Sequence, residues 1–79
     1  MKTSYRWIYF TLIHDTGKTK VYNCYNKDSD AMLGQVKWHS SFRKYSFFTE
    51  ANIAFEETCL NDISDFLRQC MADHKRQKK

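Results

Sequence analysis

The sequence predicts an α+β domain: an antiparallel meander of four or five strands with one C-terminal helix packed on one face. Apolar and aromatic residues alternate with a period of two from Tyr5 to Phe55, the spacing of strands. Beyond Phe55 the period lengthens to three and four, the spacing of a helix. The segments are separated by polar turns of hairpin length, which favours antiparallel neighbours. The chain has 79 residues, is 42% apolar and contains two glycines and no proline. That suits one compact domain and excludes dinucleotide-binding folds and barrels, which need far more chain. The domain is expected over residues 1–74, with a basic, fraying tail over 75–79.

The first strand is Tyr5 to His14, with Ile8, Phe10 and Leu12 on the inner side and Trp7, Tyr9 and Thr11 outside. Asp15-Thr16-Gly17-Lys18 supplies a turn, because Gly17 tolerates positive φ and Asp15 bonds forward to the backbone. The second strand, Thr19 to Asn26, alternates around Val21, Asn23 and Tyr25, and the polar run Asn26 to Asp30 turns the chain again. Met32 to Trp38 is the third strand, Val36 and Trp38 facing one way and Gln35 and Lys37 the other. Gly34 inside it marks a bulge or the close approach of a backbone or a large ring. After the connection His39 to Phe42 comes the fourth strand, Arg43 to Thr49, and a short fifth is expected over Ile53 to Phe55.

In the helix Leu60, Ile63, Phe66, Leu67, Cys70 and Met71 form one apolar stripe. Thr58 is the expected N-cap, and the order of Asp62 and Asp65 before Arg68 and Lys75 matches the helix dipole. A helix of about sixteen residues is ~24 Å long, enough to cover a strand of ~23 Å. The expected core is Ile8, Phe10, Leu12, Val21, Val36, Trp38, Phe47, Phe55, Leu60, Ile63, Phe66 and Leu67.

The net charge is +4, unevenly spread. Residues 1–44 sum to +5, residues 45–74 to −5, and the last five residues add +4. Three cysteines, Cys24, Cys59 and Cys70, form no even disulfide framework, which implies a reducing cytoplasm. Trp7 to Ile13 reads as a strand rather than a signal peptide, and no stretch approaches the ~20 apolar residues of a membrane helix. The expectation is a cytoplasmic protein with no membrane partner.

Most apparent chemical motifs dissolve on inspection. Gly17-Lys18-Thr19 lacks the earlier glycine of a phosphate loop and precedes a strand. Cys70 and His74 lie four residues apart on the helix, but Cys59 is ~16 Å from Cys70 along the axis, and both thiols sit on the apolar stripe. His14, His39 and Cys24 show no converging base and orienting group. No metal, cofactor or catalytic residue is expected, and the chain is expected not to be an enzyme.

The face turned away from the helix is the stronger candidate. Trp7, Tyr9, Tyr22, Lys37, His39, Phe42, Arg43 and Lys44 are the expected contacts for a protein partner, since aromatic and Arg side chains dominate interface hot spots. A homodimer is another use of such a face. Nucleic acid is the alternative, with Trp7, Tyr9 and Tyr22 stacking on bases. Lys20, Lys37, Arg43, Lys44, Lys75, Arg76, Lys78 and Lys79 would then contact phosphates. Arg43 to Phe48 hints at an RNA-recognition strand, although that fold needs two helices and only one is expected here.

Three segments carry a family resemblance: Leu33-Gly34-Gln35-Val36-Lys37-Trp38, then Phe42 to Phe48, then Phe55 followed by Cys59 to Leu67. They resemble a group of small uncharacterised proteins of bacteriophages and other mobile elements, over roughly residues 20–67. The group often carries a tryptophan where Phe42 stands and a proline where Thr49 stands. The resemblance implies a phage-like origin, a strand-strand-strand-strand-helix order, and a role such as blocking a host defence protein, binding host machinery or aiding DNA processing. It carries over no functional residue.

Overall fold

The computed structural model describes residues 1–77. It consists of β1 (Ile8–Asp15), β2 (Lys20–Asn26), β3 (Met32–His39), β4 (Lys44–Thr49) and α1 (Glu57–Gln77). The four strands form one antiparallel sheet in the order β1-β2-β3-β4, and α1 packs across one face. The fifth strand expected over 53–55 does not form. Asn52 adopts a φ of 62° and breaks the extended run, so Ile53 and Phe55 pack against the core as half-buried loop residues.

The inner face is built on aromatic rings. Phe66, fully buried, stacks on Phe10 with 3.9 Å between ring centres and meets the edge of Tyr22 at 4.9 Å. Ile8, Cys24, Val36, Tyr45, Ile63 and Cys70 complete this layer. Antiparallel partners share a face, and β2 pairs Cys24 with Phe10 and Tyr22 with Leu12. Tyr22 and Cys24 therefore point inward, which corrects the expected outward Tyr22. Val21, half-buried, takes the outer face instead.

Two other expected core residues lie outside. Leu12 is 51% exposed, at the bulge where the regular β1–β2 register breaks. Leu60 is 52% exposed, because it lies about 120° around the helix from Phe66. Gly34 answers to both of its expected roles. The β2–β3 register slips beside it, and a Cβ added there would stand 2.5 Å from the Phe48 carbonyl oxygen and 2.8 Å from the Phe47 ring.

The N-terminal segment is tied down. Its backbone bonds to the start of β1 through Tyr5 N–H to Ile8 and Phe10 N–H to Thr3. Gln69 of α1 bonds both backbone groups of Lys2, and the buried Tyr5 hydroxyl donates to Asp65 at 2.8 Å. Burial and the neighbouring Asp65 carboxylate raise the Tyr5 phenol well above its ordinary range.

The helix begins earlier and ends later than expected. Glu56, not Thr58, is the cap: its carboxylate accepts the Cys59 N–H at 2.7 Å, and the backbone bonds hold it below the ordinary glutamate range. Lys75, Arg76 and Gln77, expected to belong to a fraying tail over 75–79, are helical. Lys78 and Lys79 lie outside the described residues.

Candidate binding face

Because α1 covers only one side, the other face of the sheet is open, and its two ends differ. At the β1–β2 end Tyr9 stacks on Tyr25 at 5.3 Å and donates its hydroxyl to Asp30. Next to this pair a polar ladder crosses the strands, Gln35 donating to Asn23 and Asn23 to Tyr25. These groups satisfy one another, which leaves this end few free donors.

The β3–β4 end carries a run of rings. Phe48, opposite Gln35 in register, has the Lys37 ammonium 4.7 Å above its centre. His39 lies parallel to Phe48 at 5.7 Å and stacks on Phe42 at 4.3 Å. The hairpin loop is fixed by His39 itself, whose carbonyl accepts the Arg43 N–H and whose Nδ1 accepts the Phe42 N–H. Arg43 completes the turn with a φ of 54°. Phe42 is thereby held in place while 68% exposed. Lys37 lies over Phe48, Arg43 follows Phe42 in the hairpin and Lys44 is opposite His39 in register; the three form no ion pair among the described residues.

The expected contact residues thus fall into separate places. Lys37, His39, Phe42, Arg43 and Lys44 come together at the β3–β4 end. Trp7 is 43% exposed, with the Arg6 guanidinium over its ring, and its carbonyl accepts the Lys27 N–H. That places Trp7 and Tyr9 at the far corner of the sheet, a second patch rather than part of the first. Tyr22 is buried on the other side.

The expected phosphate contacts scatter further. Lys20 turns toward the helix and pairs with Asp73 at 3.0 Å, and Arg76 reaches the same carboxylate. The register pairs Lys20 with Asp15 beyond the β1 bulge, and this brings its side chain over the end of α1. Lys44 and Lys75 line a cleft of about 550 Å³ between β4 and α1, joined there by Arg68. Lys78 and Lys79 lie outside the described residues. Two open-face rings, Tyr25 and Phe48, were not singled out by sequence. Their signal is parity: in the pair Phe47-Phe48 one ring must face each way.

Elsewhere, Gly17-Lys18-Thr19 sits in a hairpin turn closed by Thr16 N–H to Thr19, with strand β2 following. A cavity of about 360 Å³ opens beside this turn, against Trp38 and His74. Burial pushes the Cys24 and Cys70 thiols up to about 12, which leaves them protonated at neutral pH. Among the described residues no group of three His, Cys, Asp or Glu side chains converges as metal ligands do, and no helix is long and apolar enough to cross a membrane.

The chain is similar to the "Uncharacterized 9.3 kDa protein" of Acholeplasma phage L2, with 38% identity over 50 residues. That stretch is 63% of this chain and spans 64% of the phage protein. No family model matches the chain, and no solved structure matches it. The similarity therefore points to a small protein of phage type and names no activity.

Proposed function

We propose that this chain is a non-enzymatic binding protein that grips a protein partner with the β3–β4 end of its open sheet face. The observation behind this is Phe42, exposed to 68% yet locked on His39 by the hairpin. An aromatic side chain immobilised before contact loses little entropy on binding, which is what an anchor residue requires. Lys37, Arg43 and Lys44 form a basic rim that steers toward an acidic surface. The likeness to a phage protein supports a bacterial protein as the target, with the chain acting as inhibitor or adaptor inside the host cell. A host defence protein is one such target.

Affinity capture from a bacterial host extract, followed by calorimetry with the purified prey, tests this. Phe42→Ala is expected to weaken binding at least about tenfold, while Leu12→Ala, on the other side of the sheet, leaves it unchanged. Equal affinity of wild type and Phe42→Ala would refute the assignment.

A second reading, single-stranded nucleic acid, is favoured by one feature: cations without ion-pair partners beside stacked rings, Lys37 over Phe48 above all. Oligonucleotide affinity that falls steeply with salt supports it. No detectable binding at low salt removes it.

A further inference from the structure

The cleft between β4 and α1 has a charge pattern that matches another part of the same chain. On its helix bank Ser64, Leu67, Met71 and Lys75 recur at spacings of three and four, and the same stripe continues back to Leu60 and Glu57. Between its ends the stripe holds Leu60, 52% exposed, the exposed Ser64, and Leu67 and Met71, which are half-buried against the core. Its two ends carry opposite charge. Glu56 and Glu57 stand at the N-terminal end and Lys75 toward the C-terminal end, with Lys44 across the cleft, while Arg68 near the middle is held by Asp65 and Ser64 of its own helix. Glu57, Lys44 and Lys75 form no ion pair among the described residues.

A stripe that is acidic at one end, basic at the other and apolar between is complementary to itself when turned end for end. We propose that two copies of this chain pair through α1, antiparallel, about a two-fold axis level with Phe66. Glu57 then faces Lys75 of the second copy, and Leu60 lies against Met71. Glu56 reaches Lys44 of the second copy, and Ser64 lies against Arg68. Each contact occurs twice, as an isologous interface requires. The antiparallel macrodipoles attract. Lys44 lies at the edge between the two surfaces; the rest of the open sheet face, Phe42 included, stays free of this pairing.

Sedimentation of the full chain across a concentration series, at low salt, tests it. Wild type is expected to dimerise reversibly. Glu57→Lys and Lys75→Glu should each weaken the dimer about tenfold, since each sets two pairs of like charges against one another. The double variant E57K/K75E should restore it. Leu60→Ala, which alters a side chain already exposed in the monomer, should weaken it with an unchanged melting temperature. A wild type that stays monomeric at every concentration overturns the proposal, and so does failure of the double variant to recover. Phe42→Ala should dimerise normally; loss of the dimer there would place the interface on the sheet face and overturn the helix assignment.

Discussion

Gly34 shows how little freedom some positions have. Any side chain there must displace the Phe48 carbonyl or the Phe47 ring, and a backbone carbonyl within a sheet cannot yield cheaply. Gly34→Ala should cost ~3 kcal/mol in urea unfolding, at the upper end of overpacking effects. Lys20 and Asp73 make a different kind of residue-level device, a partly buried ion pair joining β2 to α1. The hydrogen bond to Lys20 holds the Asp73 carboxyl below its ordinary range, and the same bond raises the Lys20 amine. A depressed carboxyl contributes stability above its unfolded pKa and loses it as pH falls through its folded value. A raised amine contributes below its unfolded pKa and loses it as pH rises through its folded value. The melting-temperature gap between wild type and Asp73→Asn should therefore be widest between about pH 5 and about pH 9 and close toward both extremes.

At the level of elements, period and turn chemistry located all four strands and the helix, because alternation and the Asp-Thr-Gly-Lys and Asn-Lys-Asp turns are local signals. The facing of β2 is the reverse of the expected one, although a local signal for it exists. Placing Val21, Asn23 and Tyr25 inward would bury the Asn23 amide against an apolar helix, at a cost of ~1 to 3 kcal/mol for unpaired polar groups. Outward, the same amide bonds Tyr25 and Gln35. The start of α1 was misread for another reason: Glu ranks low among caps, and only the observed bond to Cys59 reveals Glu56 in that role. Glu56→Ala should lower the melting temperature, because the Cys59 N–H loses its acceptor, while Thr58→Ala, within the first turn, should leave it nearly unchanged. Thermal melts of the two variants side by side check this.

For the molecule as a whole, one ring connects both layers. Phe66 touches Phe10 and Tyr22 at once and is fully buried, so Phe66→Ala should cost ~3 to 5 kcal/mol. A domain of 79 residues has a total stability near the low end of ~5 to 15 kcal/mol. The variant is expected to be largely unfolded at 37 °C, read by loss of near-ultraviolet circular dichroism. The candidate face was legible in part. Lys37, His39, Phe42, Arg43 and Lys44 were named from a short loop and its flanks, and the hairpin brings them together because they are close in sequence. Trp7 and Tyr9 were grouped with them by facing alone, and facing does not encode distance across a sheet.

The covering helix is the last of these elements in chain order, and this sets the timing of folding in a cell. A ribosome delivers the four strands first, while the residues that seal them are still in the exit tunnel. Phe10, Tyr22 and Val36 then have nothing to pack against, and Gln69 has not yet appeared to hold the N-terminal segment. Closure therefore waits until Phe66 has left the tunnel, and nascent chains stalled before it expose the unsealed sheet to chaperones and proteases.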